Sequence, residues 1–73
     1  SEVVIENDEL KLIIEPGSIV VHLGVGEFET KFQRIEKILE SNKNPGLDID
    51  LRMVDLAVLK SRVSMDREVN NGI

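Results

Sequence analysis

The sequence predicts an α+β fold with two layers, in which one amphipathic helix packs on a mainly antiparallel sheet in the order β-β-β-α-β-β. Three observations favour this class. Short runs with a two-residue apolar period occupy much of residues 3–23 and residues 49–60. Between them the apolar period lengthens to about 3.6 residues, which is typical of a helix. The strands are too closely spaced for crossovers except across the helix, so only that connection allows a parallel pair.

The first three strands are predicted to form a meander with tight turns. They span residues 3–6, 9–15 and 18–23 and are rich in aliphatic and β-branched residues. A turn is expected at residues 7–8, because Asn and Asp side chains bond the local backbone. A second turn is expected at residues 16–17, because Pro presets φ and Gly accepts a positive φ.

The predicted helix covers residues 27–40 and ends in a loop at residues 41–46 that Pro and Gly terminate. Its predicted apolar stripe consists of Phe28, Phe32, Ile35 and Leu39, with Ile38 beside them. The opposite, polar face is expected to carry Glu29, Lys31, Arg34, Glu36 and Lys37. Packing the stripe on the sheet buries both apolar surfaces, which is why the two-layer arrangement is expected.

The closing hairpin, residues 48–60, is the most informative segment. Residues 49–53 and 56–60 each show the two-residue period, and a short turn at residues 54–55 joins them. The first of these runs places Ile49, Leu51 and Met53 on one face of its strand. A final hairpin often leaves its last strand at a sheet edge, where free N–H and C=O groups pair with another chain. The hairpin therefore indicates a protein that binds partners.

Size and composition allow one small domain. A chain of 73 residues buries only about 60% of the surface that its unfolded form exposes. The domain is expected to span residues 1–60. Residues 61–73 are expected to form a polar, frayed tail, although Val63 and Met65 could extend the last strand. Phe28 and Phe32 are the only aromatic residues, so the core is expected to be aliphatic. The chain begins with Ser rather than Met, which fits a fragment of a larger protein.

Charge and cysteine content narrow the class of function. The net charge of −5 disfavours binding to nucleic acid or to an anionic membrane surface. The absence of cysteine excludes disulfides and zinc sites built from cysteine. No apolar run approaches the ~20 residues of a membrane span, and the start of the chain lacks the basic and apolar regions of a signal peptide.

The segment Gly24-Val25-Gly26 lies between a strand and the helix, where phosphate-binding loops occur. The dinucleotide-binding fingerprint needs a third Gly at position 29, which is Glu29. Glu27 and Glu29 would also repel a phosphate at the helix start. The segment is therefore expected to be a simple turn. A small regulatory domain that binds a metabolite or an anion at residues 24–27 is the alternative function.

Other residues with chemical potential lack the partners that a site needs. His22 is the only histidine and has no neighbouring His or Cys. Asp48 and Asp50 point the same way, roughly 7 Å apart on one strand, with Arg52 on the same face and able to pair with either. No serine has the sequence context of a catalytic nucleophile. We therefore expect no catalytic residue, no cofactor and no metal site. A deep cleft lined by His22, Asp48 and Asp50 together would instead indicate an enzyme.

Residues 9–60 resemble the C-terminal β-domain of a bacterial cell-division protein family, FtsQ, called DivIB in Gram-positive bacteria. The segment ELKLIIEPGSIVVHLG is similar to that family's paired strands, and EFETKFQRIEKILES is similar to its helix, with Lys31 one turn in. GLDIDLRMVDLAVL is similar to the family's hairpin, commonly V-D-L-R-Y followed by a short turn and A-V. Met53 stands where the family usually has Tyr, and the turn at residues 54–55 contains no Gly.

The resemblance implies a non-enzymatic role in the bacterial division machinery. FtsQ-like proteins are anchored in the inner membrane by a segment that this chain lacks, and their β-domain lies on the periplasmic or extracytoplasmic side at the division site. That domain binds the small coiled-coil proteins FtsB and FtsL through a strand added to the edge of the last hairpin. The residues at the matching positions are Arg52 and Met53, then Leu56, Ala57, Val58, Leu59 and Lys60. The resemblance implies no cofactor, nucleic acid or small-molecule substrate.

Overall fold

The computed structural model describes residues 2–42 and 44–62. One helix packs against a five-stranded mixed sheet, and the elements follow the predicted order β-β-β-α-β-β. The strands are β1 (Glu2–Glu6), β2 (Glu9–Ile14), β3 (Ile19–Gly24), β4 (Leu47–Met53) and β5 (Leu56–Ser61), and the helix is α1 (Phe28–Ser41). The periodicity therefore placed every element correctly, with small differences at the ends.

The five strands pair in the order in which they occur along the chain, β1-β2-β3-β4-β5. Three of the four pairs are antiparallel, and the pair β3–β4, which α1 connects, is parallel. This parallel pair is the one that the sequence spacing allows. Because the order is sequential, β1 and β5 are the two edges of the sheet within the described part of the chain, and the closing hairpin places its last strand at one of these edges.

The hydrophobic core lies between α1 and one face of the sheet. On β3 and β4, buried aliphatic residues alternate with half-buried ones, as the two-residue period predicts. The core consists of Ile19, Val21, Leu23, Ile35, Leu47, Ile49 and Leu51. It is aliphatic, as the composition indicates. We call the sheet surface that faces α1 the helix side, and the opposite surface the open face.

The face of α1 that contacts the sheet differs from the predicted stripe. Lys31 is only 1% exposed, whereas Phe28 and Phe32 are 38% and 46% exposed. The sequence prediction is wrong at these three positions. It is correct for the aliphatic residues of the second half of the helix, Ile35, Ile38 and Leu39, which are buried or pack against the core.

Lys31 is buried because its ammonium group meets an acceptor at the end of β3. Its Nζ donates a hydrogen bond of 2.6 Å to the backbone carbonyl oxygen of Leu23. The aliphatic stem of the side chain fills the space between helix and sheet, as long cationic side chains commonly do. On the flank of α1 away from the two Phe residues, Arg34 donates a hydrogen bond to the carbonyl oxygen of Val54 in the β4–β5 turn. These two cationic side chains fix the rotation of the helix over the sheet.

The turn before α1 requires glycine because it brings the end of β3 against β4. Gly24 is buried and has a φ of +66°, and a Cβ at this position would lie 3.0 Å from Cγ of Arg52. Gly26 also has a positive φ, +79°, but its Cβ would meet nothing within 4 Å. Glu27 follows in the left-handed region as the N-cap, and its side chain makes no capping hydrogen bond. The turn is thus stabilised by backbone conformation and packing.

The end of β5 is fastened to two loops by Arg62. Its backbone N–H and Nε donate to the carbonyl oxygen of Gly46 at 2.9 and 3.1 Å, and its guanidinium also donates to the carbonyl oxygen of Ser18. The strand itself reaches Ser61, one residue beyond the predicted domain boundary. The described residues therefore include Ser61 and Arg62 of the predicted tail. Residues 63–73, with Val63 and Met65, lie outside the described residues.

We expect Lys31→Met to lower the free energy of unfolding by about 1–3 kcal/mol, because the buried carbonyl of Leu23 loses its donor while the apolar stem is kept. Urea denaturation followed by far-UV circular dichroism measures this difference. Lys37→Met, at an exposed position of the same helix, is the matched control and should change stability by less than about 0.5 kcal/mol. Equal stability of the Lys31→Met variant and the wild type would contradict the assigned role.

We expect Gly24→Ala to destabilise the domain by more than about 1 kcal/mol, since the new Cβ adds a contact with Arg52 to the cost of a positive φ. Gly26→Ala is the control, because it incurs the conformational cost alone. The difference between the two variants in thermal or urea unfolding isolates the close approach of β3 and β4. Identical losses in both variants would mean that this approach is not tight.

Candidate functional site: the β5 edge and the open face beside it

The predicted partner-binding residues on β5 form the outer edge of the sheet. Among the residues that the structure describes, no strand other than β4 pairs with β5, so residues 56–60 offer backbone groups on the outer side. Its side chains form two rows. Leu56, Val58 and Lys60 project on the open face, and Ala57 and Leu59 project on the helix side. Leu56 and Val58 are each 51% exposed, which is unusual for two adjacent aliphatic positions of one row.

A shallow groove runs along the open face between β4 and β5. It consists of two adjoining depressions of about 220 and 270 Å³. The first is lined by Asp50, Arg52, Met53, Leu56 and Val58, and the second by His22, Asp48, Asp50, Arg52, Val58 and Lys60. The groove is therefore aliphatic at the hairpin end and charged at the other end. It lies directly beside the edge at which a further strand would add.

Met53 reaches this groove because the β4–β5 ladder is irregular. The register shifts between Asp50 and Met53, so that Met53 pairs with Leu56. The two-residue period predicts Met53 on the same face as Leu51, and the structure differs: Met53 is 62% exposed and lines the groove. The sequence gives no local signal for the shift, since no Gly or Pro marks it.

Arg52 is held by Asp50 on the same strand. The two side chains make a bidentate pair, with Nε donating to Oδ1 at 3.0 Å and Nη2 donating to Oδ2 at 2.7 Å. The backbone N–H of Arg52 also donates to Oδ1 at 3.0 Å. The side-chain hydrogen bonds from Arg52 are the main reason why the pKa of Asp50 is lowered from 3.8 to about 2. The pair therefore forms a planar, charged wall of the groove at neutral pH.

His22, Asp48 and Asp50 do lie together, in the second depression. However, both carboxylates already have arginine partners, since Oδ1 of Asp48 lies 3.3 Å from Nη1 of Arg62. Hydrogen bonds from Arg52 lower the pKa of Asp50, which makes this carboxyl group a poor general acid. Within the described residues no group of three His, Cys, Asp or Glu side chains is arranged to hold a metal ion. The second depression therefore carries charged groups of both signs, which suits electrostatic recognition.

The turn at residues 24–27, the alternative ligand site, has a different character. Gly24 is buried and Val25 is exposed, at 71%. Exposed carboxylates of Glu27 and Glu29 flank the start of α1. An anion at this helix end would meet two like charges, and this repulsion offsets the attraction of the free backbone N–H groups.

The chain matches no family model, no curated protein and no solved structure. The likeness to the FtsQ and DivIB β-domains thus rests on the sequence pattern of residues 9–60. As for membrane association, α1, the sole helix among the described residues, is too short and too polar to cross a bilayer.

The sequence predicted most residues of this surface, left the ion-pair partner of Arg52 open and missed Arg62. It identified residues 52–53 and 56–60, and the structure places all seven along one hairpin. It left the partner of Arg52 open between two Asp residues, and the structure assigns Asp50. It missed Arg62, whose role depends on Gly46 and Ser18, loops distant in the sequence. The spacing of Asp50 and Arg52, two residues apart on one strand face, was the only sequence signal that could have predicted the ion pair.

We expect Arg52→Gln to return the pKa of Asp50 from about 2 toward 3.8, since the largest stabilising interaction of its ionised form is removed. NMR titration of the Asp50 carboxyl carbon measures both values. Because the folded pKa lies below the unfolded one, the pair stabilises the wild type above pH 4 and this contribution disappears as the pH falls toward 2. The free energy of unfolding of the Arg52→Gln variant should therefore fall less than that of the wild type as the pH decreases from 4 to 2.

Lys60→Gln serves as the control for this titration, because Lys60 lines the same groove without touching Asp50. It should leave the carboxyl titration unchanged. A wild-type Asp50 that titrates near 3.8 would mean that the ion pair is absent in solution.

Proposed function

We propose that this chain is a non-catalytic interaction module that binds an extended segment of a partner protein by strand addition at β5. The observation that carries the proposal is the exposed, unpaired outer side of β5, residues 56–60, beside an aliphatic groove. In this mode the main chain of the partner continues the sheet, and backbone hydrogen bonds supply affinity.

Side-chain rows on both faces of β5 would supply selectivity. On the open face, a partner residue next to Leu56 or Val58 would contact the aliphatic end of the groove. A partner residue next to Lys60 would meet a positive charge, which favours an acidic side chain. On the helix side, Leu59 is 39% exposed and offers a second apolar contact. The preferred partner segment is therefore extended and apolar, with an acid near one end.

The sequence resemblance suggests the biological setting of the proposal. FtsQ-like and DivIB-like β-domains bind FtsB-like and FtsL-like division proteins, so these are the first partners to test. We propose the same setting for this chain: the extracytoplasmic side of the bacterial cell membrane, at the division site. The closing hairpin carries the residues on which this assignment depends, Asp50, Leu51, Arg52, Ala57 and Val58.

Proline substitution on β5 tests the mechanism. The backbone N–H groups of adjacent residues in a strand point to opposite sides. Of the two variants Ala57→Pro and Val58→Pro, one therefore removes an N–H that bonds to β4, and the other removes an N–H on the outer edge. Circular dichroism and urea unfolding identify the variant that keeps the fold. We expect that variant to bind tiled peptides of FtsB-like and FtsL-like proteins at least about tenfold more weakly than the wild type, because a backbone hydrogen bond is lost and the ring obstructs the incoming strand.

Proline at Val3 or Val4 on the opposite edge, whichever position keeps the fold, is the matched control and should not weaken peptide binding. Isothermal titration calorimetry gives the affinities. Wild-type binding that persists in the folded β5 proline variant would exclude strand addition at this edge. Absence of binding to any peptide of the set would exclude the proposed partners.

A further inference from the structure

We propose that the two edges of the sheet pair with each other between copies of this chain, so that β1 of one copy adds to the outer edge of β5 of the next. Among the residues that the structure describes, no further strand pairs with the outer side of β1 or with the outer side of residues 56–60 of β5. The proposal uses the same strand as the proposed partner site but does not rest on that function.

The strand directions permit this contact without turning either copy over. From β1 to β5 the strand direction reverses at each of the three antiparallel pairs and stays the same at the parallel pair β3–β4. Consequently β1 and β5 run in opposite directions within one sheet. A second copy displaced along the sheet therefore presents its β1 antiparallel to β5, with α1 on the same side in both copies. Antiparallel pairing is also the slightly more stable kind.

The side-chain rows of the two edges match in polarity. On β1, Glu2 and Val4 pair with β2 residues of the open face, and Val3 and Ile5 pair with Leu12 and Leu10 of the helix side. The register that sets Val4 opposite Val58 also sets Glu2 opposite Lys60, both on the open face. On the helix side the same register sets Val3 opposite Leu59 and Ile5 opposite Ala57. Of the five pairs in this register, three join apolar residues and one joins an acid with a base, which is how cross-strand pairs stabilise a sheet. The fifth pair sets Glu6 opposite Leu56.

Four of the residues that this register would cover are exposed apolar residues of the two edges. Val3 and Ile5 are 61% and 73% exposed, and Val58 and Leu59 are 51% and 39% exposed. Leaving four such side chains in water on two strand edges is unfavourable, and edges of this kind recruit further strands.

Pairing of like edges is less favourable on charge. Two β1 strands centred on Val4 would place Glu2 opposite Glu6, and opposed like charges destabilise a strand pair. If β5 of one copy paired with β5 of another, Lys60 would meet no acidic side chain, because residues 56–61 contain no Asp or Glu. The acidic edge of one copy and the cationic edge of another are complementary. Because this contact joins two different surfaces, it does not close after two copies and can continue.

Edge-blocking variants test this arrangement. At each edge a proline is placed at one of two adjacent positions, Val3 or Val4 on β1 and Ala57 or Val58 on β5, and the variant that retains the wild-type circular dichroism spectrum is used. In sedimentation velocity experiments, the wild-type mass should rise past that of a dimer with concentration. Each blocked variant alone should be monomeric. An equimolar mixture of the two should form a dimer that does not grow, because one free edge of each kind remains.

Three results would overturn the proposal. A wild-type chain that stays monomeric up to millimolar concentration excludes self-association. A β1-blocked variant that still dimerises shows that β5 pairs with itself. A mixture of blocked variants that stays monomeric shows that the two edges do not meet.

Charge reversal tests the register without any risk to the fold, because Glu2 and Lys60 are both exposed. Glu2→Lys and Lys60→Glu should each weaken self-association by about two- to fivefold, the range of a surface ion pair. Mixing the two variants should restore wild-type association, since every contact between unlike variants then joins opposite charges. Unchanged association in both single variants would exclude this register.

Failure of this proposal and failure of the proposed function are separable. The β1-blocked variant keeps β5 free, so it should bind FtsB-like peptides whether or not the wild type self-associates. Peptide binding without self-association, or self-association without peptide binding, assigns the failure to one proposal alone.

Discussion

The parallel pairing of β3 with β4 is the constraint on which the rest of the structure depends. Parallel neighbours cannot be joined by a tight turn, so the connection must leave the sheet and return, and α1 makes this connection. The helix consequently lies over the two strands that it connects. Val21 and Leu23 of β3, and Ile49 and Leu51 of β4, are 0% exposed beneath it. The core is thus centred on one strand pair.

One helix is too narrow to cover five strands. Strands spaced by about 4.8 Å make a sheet about 19 Å across, whereas a helix with its side chains is about 10–12 Å wide. Coverage therefore ends before the outer strands, and both edges keep exposed aliphatic residues on the helix side. The binding surface that we propose at β5 and the complementary edge at β1 share this physical origin. They are what a single helix leaves uncovered.

Charged groups organise the open face and both ends of the sheet. Asp50 and Arg52 neutralise each other beside the aliphatic part of the groove, so the wall of the groove is rigid and polar without a net charge. At the end of β5, Arg62 donates hydrogen bonds to the carbonyl oxygens of Gly46 and Ser18 and so connects the strand to these two loops. Lys60 contributes an exposed positive charge at the β5 edge. Apolar contact and one positive charge therefore lie along the same accessible strand.

The amino-acid sequence by itself determined the order of elements, the position of each strand and helix, and the placement of β5 at an edge. These features follow from local periodicity and turn chemistry, which a short window of sequence contains. The tertiary structure decided which side of α1 is buried, because the carbonyl of Leu23 accepts a hydrogen bond from Lys31 and turns the two Phe residues outward. It also decided that Met53 lines the groove, through the irregular β4–β5 register, and that Arg62 donates a hydrogen bond to Ser18, 44 positions away. Each of these depends on a partner that becomes a neighbour only when the sheet assembles, so no periodicity in the chain encodes it.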